Sequence, residues 1–260
     1  MITTGSSHLE RFLRRLQMRS VLQEDAKQTI LELPGRSVMF GAHHEIARPG
    51  ERVRHASLVL EGLAAGFHPM KNGGRQFTGF YLPGDMCDLH TAVLPPSPTG
   101  IEALTNTTIF RVPHQALREA AAAHSSIAAA FWRDTGVDAS LAAKWTANIG
   151  RRSARTRLAH LMCEIGMRVE LAGLGDRTAY RLGATQTQLA DAVGLTPVHV
   201  NRTLRDLRAD HLLRISAGRV DIPDWERLAS TAEFDCAYLH VADDRIAPAD
   251  PPRPAPPLDY

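Results

Sequence analysis

Cysteine is scarce in this 260-residue chain, which holds three: Cys87, Cys163 and Cys236. Their odd number and wide separation exclude a disulfide framework and a Cys-x-x-Cys zinc site, leaving reduced, mostly structural thiols as the expectation. No apolar run approaches the roughly 20 residues that a membrane span needs. Met1 to Glu10 lacks the basic segment and apolar stretch of an export signal. A cytoplasmic protein with no membrane partner is expected. Charge of one sign is also missing in bulk, since the formal net charge is +2, too small to argue for a nucleic-acid partner by itself. No phosphate-binding glycine loop, Ser-His-Asp arrangement or paired-carboxylate site stands out. Nothing here points to an enzyme or a bound cofactor.

What is present is ordinary globular composition, 44% hydrophobic and 22% charged, over a length that suits two domains, each with its own core. The basic residues are clustered. Lys144, Arg151, Arg152, Arg155 and Arg157 follow one another with no acid between them, and Arg202, Arg205, Arg208, Arg214 and Arg219 form a second group. Such clusters fit a solvated helix face as well as a polyanion partner.

The texture changes along the chain. Residues 1–34 read as a helical lead-in: Leu9, Phe12, Leu13 and Leu16 recur at helical spacing, and a second helical pattern from Asp25 to Leu33 ends at Pro34-Gly35. From 35 to 114, short apolar runs (Ser57 to Leu63, Gln76 to Leu82, Ile101 to Leu104, Ile109 to Val112) are cut by Gly, Pro and Asn, predicting a jelly-roll or sandwich. Asn72-Gly73-Gly74 marks a hairpin turn. Residues 115–150 are alanine-rich with no proline, predicting one long helix. Its stripe Ile127, Phe131, Leu141 and Trp145 suits packing on a second copy or on its own β domain, and Ala128, Ala139 and Ala142 form a small-residue face beside it. The region 151–236 opens with a predicted amphipathic helix, Arg155 to Leu171, whose apolar positions are Leu158, Leu161, Met162 and Ile165. Residues 237–260, with six prolines after position 246, predict a disordered or extended tail.

The most informative stretch runs from Thr185 to Arg208. Leu189, Ala190 and Val193 form the apolar side of a short helix, Gly194 permits a tight turn and Leu195 plugs the corner. Thr196 is placed as N-cap and Pro197 as first residue of a second helix. Val200, Leu204 and Leu207 then fall on its inner side, while Val198, Asn201, Arg202 and Arg205 fall on its outer side at i, i+3, i+4 and i+7. An outer face that starts in the first turn is what a recognition helix offers to base edges. Arg202 is the candidate reader, because its guanidinium can bond both O6 and N7 of guanine, worth about 1–3 kcal/mol against the wrong base. Gln186, Thr196, His199 and Arg205 are assigned to phosphates. Leu212, Leu213 and Ile215, then Gly218, then Val220 and Ile222 predict a two-stranded wing, with Arg214 and Arg219 available to the backbone. A helical hairpin used for packing alone is the competing reading.

Leu189-Ala-Asp-Ala-Val-Gly-Leu-Thr196 and Val200-Asn-Arg-Thr-Leu204 together resemble the winged helix-turn-helix of the cyclic-AMP receptor protein and fumarate-nitrate regulator (Crp/Fnr) superfamily. The resemblance spans roughly Leu31 to Leu228 and includes Leu82-Pro-Gly-Asp85, which is similar to the glycine-acid turn of the β-roll. It implies an α+β fold: a double-stranded β-helix (jelly-roll, cyclic-nucleotide-binding-like) sensor domain over 35–114, a dimerisation helix within 115–150 and a winged helix-turn-helix over 151–236. It also implies a transcription regulator that binds double-stranded DNA as a homodimer, on a two-fold symmetric operator with half-sites about one helical turn apart. RNA polymerase is a candidate further partner. The DNA-facing set is then Gln186, Thr196, Pro197, Val198, His199, Asn201, Arg202, Arg205, Arg214 and Arg219.

Departures from the family pattern shape the expectation. Val198 stands where the family commonly carries a base-reading glutamate, whereas Arg202 keeps the family arginine; a valine touches a thymine methyl but accepts nothing from cytosine N4. Pro95-Pro-Ser-Pro-Thr99 lacks the arginine that neutralises a cyclic phosphate, which argues against cyclic AMP, since an unpaired buried phosphate would cost several kcal/mol. Three unclustered cysteines argue against the four-cysteine iron-sulfur cluster of the oxygen-sensing branch. Gly84 and Asp85 persist as candidate effector-pocket residues, with no effector identified. Asp85, Cys87, Asp88 and His90 are read as packing and turn residues rather than metal ligands. One alternative is an effector-independent regulator controlled by its own abundance. A more distant one is a cupin-like metalloenzyme, suggested by His43-His44-Glu45, although adjacent strand residues face opposite ways and the His-x-His spacing is absent.

Overall fold

The computed structural model describes residues 6–241; the proline-rich stretch after position 246 lies outside the described residues. Helix α1 (Ser6–Gln17) buries Leu9, Phe12, Leu13 and Leu16, and α2 (Glu24–Leu31) buries Ala26 and Ile30. Two antiparallel sheets follow. Strands β1 (Arg36–Phe40), β3 (His55–Glu61) and β7 (Thr107–Pro113) form one in the order β1-β7-β3. Strands β2 (Glu45–Ala47), β4 (Ala64–Pro69), β5 (Arg75–Tyr81) and β6 (Gly100–Ala103) form the other in the order β2-β6-β4-β5. The β4–β5 hairpin turns through the predicted glycines, with Gly73 at φ +82°.

The run Ser57 to Leu63 is not one strand. Gly62, at φ +88° and tight against the Asn106 carbonyl, turns the chain from β3 into β4, a conformation and approach that a Cβ would block. Strand β4 carries small residues, Ala64, Ala65 and Gly66, and strand β1 is exposed at Arg36, Ser37 and Met39. Neither has the alternating bulk that marks a strand in sequence.

The predicted long helix is two: α3 (His114–Ala123) and α4 (Ser125–Arg151). His124 leaves helical geometry between them (φ −133°, ψ 110°), with its ring nitrogen 3.0 Å from the Thr29 hydroxyl of α2. That anchor lies 95 residues away in sequence, so the alanines around it carry no sign of the break. Ile127, Phe131, Leu141 and Trp145 all pack inside their own chain.

Helix α5 (Ala154–Leu171), capped by Ser153, is buried on every side from Leu158 to Val169, including His160, Glu164 and Arg168. The single apolar stripe expected from sequence understates this, because α5 lies between the β domain and the C-terminal domain. The latter comprises β8 (Ala179–Arg181), α6 (Gln186–Val193), α7 (Pro197–Ala209), β9 (Arg214–Ser216), β10 (Arg219–Asp221) and α8 (Trp225–Ala232). Its sheet has the order β8-β10-β9, so β8 adds a third strand to the two-stranded wing. Beyond α8 the chain folds back rather than leaving at 237: a short 3-10 turn at Ala237–Leu239 places Leu239 and Val241 against Val137 and Leu141 of α4, and Arg19 donates to the Leu239 carbonyl at 2.8 Å. Among the described residues no helix is long and apolar enough to cross a membrane.

One core runs through both domains. It joins Leu63, Phe67, Phe77, Phe80 and Leu104 of the β domain to Trp145, to α5, and to Leu189, Val193, Val200, Leu207 and Val220 of the C-terminal domain. Phe80 is a buried member of it, edge-on to Trp145 with ring centroids 5.6 Å apart. Phe80→Ala is therefore expected to cost about 3–5 kcal/mol and to shift the unfolding of both domains together. Denaturant unfolding followed by circular dichroism, alongside limited proteolysis mapped to each domain, checks this. Loss of protection confined to the β domain would contradict a shared core.

Candidate nucleic-acid interface

The surface is built from two capped helices and a tight turn. Thr185 caps α6 reciprocally with Gln188: the Gln188 amide donates to the Thr185 hydroxyl at 3.2 Å, and the Thr185 amide donates to Gln188 Oε1 at 2.7 Å. This satisfies two backbone donors that a helix start leaves open. Gly194 ends α6 in the left-handed region (φ 65°, ψ 42°). Thr196 caps α7, accepting from the His199 amide at 3.2 Å, and Pro197 occupies the first turn. Val200, Thr203 and Leu207 are buried beneath, Leu204 partly so. Thr203 joins the inner stripe because its hydroxyl donates to the His199 carbonyl at 2.9 Å and is thereby spent inside the helix.

The outer side presents what remains. Val198 is 81% exposed, an apolar side chain in the first turn with nothing covering it. Arg202 and Arg205 are exposed, and among the described residues neither has an ion-pair partner in the chain. Thr196 and Pro197 are exposed at the start of α7, and His199 is half-buried beside them. Asn201 donates to the Gln186 side chain at 3.0 Å, tying α7 to the first turn of α6. Gln186, Asn201, Arg205 and Arg208 line one groove between the two helices and the wing. Arg208 stands in the second basic group of the sequence but not in the expected DNA-facing set, although its i+3 spacing from Arg205 was a usable signal. On the wing, Arg214 is exposed, while Arg219 is partly compensated by Asp221 at 2.9 Å.

The C-terminal domain is fastened to the β4–β5 hairpin. Arg75 bridges buried Glu102 and, at 3.3 Å, Asp191 of α6. Gln76 Nε2 donates to the carbonyls of Asp191 and Ala192 at 2.7 and 3.2 Å, and Arg157 of α5 donates to the Val193 carbonyl at 3.1 Å. These donors satisfy carbonyls that the end of α6 leaves unpaired.

The candidate effector residues Gly84 and Asp85 lie beside a small cavity beneath α1. Gly84 (φ +104°) passes directly beneath α1, where a Cβ would meet that of Arg11 at 3.1 Å. Asp85 is buried and engaged within the chain, accepting from the Leu82 amide at 2.7 Å, from Arg15 and, at 2.6 Å, from Arg168. Its carboxyl stays below the usual range because the two guanidiniums outweigh burial. Asp85, Cys87, Asp88 and His90 do not converge. Asp88 accepts from the Ser57 amide at 2.6 Å and hydroxyl at 3.3 Å, with burial pushing it up to about 6. Burial likewise holds the Cys87 thiol well above its ordinary value and lowers His90.

A two-sheet roll joined through a long helix to a winged helix-turn-helix defines the class: a DNA-binding regulator with a sensor-type domain. Comparison with known proteins agrees. Residues 20–124 match the cyclic nucleotide-binding domain and residues 156–231 match the Crp-like helix-turn-helix domain. The two cover well over half of the chain, which belongs to the Crp/Fnr family of DNA-binding transcription regulators, and the metalloenzyme alternative falls. Similar curated proteins include the nitrogen fixation regulation protein FixK of Azorhizobium caulinodans, 24% identical over 71% of this chain and 74% of that one. Another is the transcriptional activator protein FnrL of Cereibacter sphaeroides, 26% identical over 75% and 80%. Among solved structures, FixK2 from Bradyrhizobium japonicum superposes with a TM-score of 0.70 at 24% identity, covering 76% of this chain and 98% of that one.

The turn between the helices allows a direct check. Gly194→Ala forces a Cβ into the left-handed region and to 3.2 Å from Ile149 Cγ2. It is expected to destabilise the C-terminal domain by about 1–2 kcal/mol, measured as a lowered urea midpoint. An unchanged midpoint would contradict the left-handed turn.

Proposed function

We propose that the chain acts as a homodimer on a two-fold symmetric operator, reading a guanine in each half-site with Arg202. The observation that carries this is the uncompensated face of α7, where Val198, Arg202 and Arg205 stand exposed on a helix capped at its start by Thr196. In this reading Gln186, Thr196, His199, Arg205, Arg214 and Arg219 hold phosphates, Pro197 and Asn201 set the approach of the helix, and Val198 contacts a thymine methyl. Selection of sites from random duplexes is expected to return half-sites that keep the guanine and differ at the neighbouring pair. Arg202→Ala should lower affinity for the selected site by about 1–3 kcal/mol and relax preference at that guanine, with weak non-specific binding retained. Anisotropy titrations at one stated salt concentration check this, because phosphate contacts are steeply salt-dependent. Equal loss on every sequence would remove Arg202 as a reader.

The dimer seam in this reading is the outward face of α4. Ala128, Trp132, Thr135, Ala139, Ala142, Thr146 and Ile149 are spaced 4-3-4-3-4-3, the repeat of a two-helix supercoil, and all are exposed or half-exposed. Trp132 is 78% exposed. The hydroxyls of Thr135 and Thr146 donate back to the Phe131 and Ala142 carbonyls at 2.8 and 2.9 Å, leaving their methyls to face a partner. Ala139→Glu buries two carboxylates across such a seam. It is expected to give a folded monomer in analytical ultracentrifugation, with operator affinity lost; a variant that remains dimeric would displace the seam.

The chain further fits a branch of the family that uses neither cyclic AMP nor an iron-sulfur cluster. Supporting this are the absence of arginine from Pro95 to Thr99, the count of three cysteines and the engagement of Asp85 within the chain.

A further inference from the structure

Beneath α1 lies a buried cluster of charges that the DNA-facing surface does not use. Arg15 spends its whole guanidinium there: one terminal nitrogen donates to Asp85 of the β domain, Nε to Asp134 at 2.6 Å and Nη2 to Asp138 at 2.8 Å, the last two on α4. The second oxygen of Asp85 accepts from Arg168 of α5 at 2.6 Å. Arg168 also reaches Glu164 at 3.4 Å, and Glu164 accepts from the Trp145 indole and the Tyr238 hydroxyl, each at 3.0 Å. A small cavity lined by Arg15, Gly84, Asp85, Arg168 and Leu239 adjoins these groups.

Three carboxylates from two elements thus converge on one guanidinium that a third element delivers. Asp134 is 2% exposed, and its remaining oxygen is buried without a hydrogen-bond partner. The acid in this pocket therefore exceeds what Arg15 satisfies. Each buried ion costs several kcal/mol to desolvate, and removing one partner strands the others. With α1 seated, the β domain and α4 are joined through Arg15, and α5 is joined to both through Asp85. With α1 displaced, Asp134 and Asp138 lose their guanidinium and Asp85 keeps Arg168 alone. Helix α5 shares its core with Val200 and Leu207 of α7, so what Asp85 holds through Arg168 is the DNA-binding domain itself. The acceptors meet three different nitrogens of a planar fork, an arrangement that an ammonium cannot reproduce.

We propose that Arg15 is a tethered ligand: Asp85, Asp134 and Asp138 form a guanidinium-binding site filled in cis, whose occupancy holds the winged domain in its operator-binding setting without a diffusible effector. This rests on the regulator reading given above. It identifies the sensor-side input as the seating of α1, and the ligand chemistry of the site as a guanidinium cation.

The test measures operator binding by the full chain at one salt concentration with no small molecule added, for wild type, Arg15→Ala and Arg15→Lys. The alanine variant is also titrated with guanidinium chloride to about 20 mM, far below denaturing concentrations, against equal sodium chloride. Wild type is expected to bind and Arg15→Ala to bind about tenfold more weakly, while remaining a folded dimer by circular dichroism and sedimentation. Guanidinium, and not sodium, is expected to restore most of the loss. Arg15→Lys keeps the balancing charge and is expected to fold, to bind more weakly than wild type and to gain nothing from guanidinium. Wild-type affinity in either variant, or a folded alanine variant that guanidinium restores no better than sodium, overturns the tethered ligand and leaves the regulator reading intact. If the alanine variant does not fold, the lysine variant decides: operator binding weaker than wild type supports the tethered ligand, and wild-type affinity overturns it. A wild-type protein that binds no selected duplex defeats the regulator reading itself, and the proposal with it.

Discussion

The burial of α5 on all sides is the constraint from which the rest of the molecule follows. A helix lying between two domains has no solvent face, so every polar group on it must find a partner or be left unpaired at a cost of a few kcal/mol. His160 accepts from Arg152 at 2.8 Å, and burial together with that guanidinium lowers it to about 4, keeping the ring neutral near pH 7. Glu164 is met by Trp145 of α4 and Tyr238 of the returning C-terminal segment, and Arg168 by Asp85 and the Phe80 carbonyl. These partners come from different parts of the chain. Satisfying them fixes the angle at which the C-terminal domain meets the β domain, while the continuous apolar core supplies the driving force.

Once that angle is set, the exposed surface is a matter of local chemistry. The threonine caps of α6 and α7 and the left-handed glycine between them orient α7 with Val200 and Leu207 inward, which leaves Val198, Arg202 and Arg205 outward. Fastening through Arg75 and Gln76 holds α6 from the other side. An exposed valine and two arginines with no ion-pair partner among the described residues contribute little to folding. In the proposed reading their value lies in a partner that brings methyl groups and negative charge, as duplex DNA does.

The elements that could be read from residues are those whose signals are local. Thr196-Pro197, Gly194 and Asn72-Gly73-Gly74 fall where a cap, a helix end and a hairpin turn need them, and the inner stripe of α7 follows from its spacing. Features that depend on distant partners were not legible. The break at His124 is anchored on α2, and the near-complete burial of α5 is visible only when both domains are in place. Asp85, offered as an effector residue by the family resemblance, has ion-pair partners 70 and 83 residues away that no local signal announces. Strand β8 is three residues long around Tyr180 and exists by pairing with β10. The apolar stripe of α4 fitted two partners equally well on paper, and packing on its own chain took it, leaving the small-residue face outside. The segment through Val241 does carry apolar bulk, in Phe234, Tyr238, Leu239 and Val241, but the part of α4 that it returns to is distant in sequence, so nothing local signals the contact.

Dimethyl sulfate protection on a bound operator tests most directly whether the outward side of α7 enters the major groove. The account predicts a guanine shielded at N7 in each half-site, the pair lying about 10 base pairs apart on a two-fold axis. A complex in which no guanine N7 is shielded, or in which only minor-groove adenine N3 positions are, would contradict it.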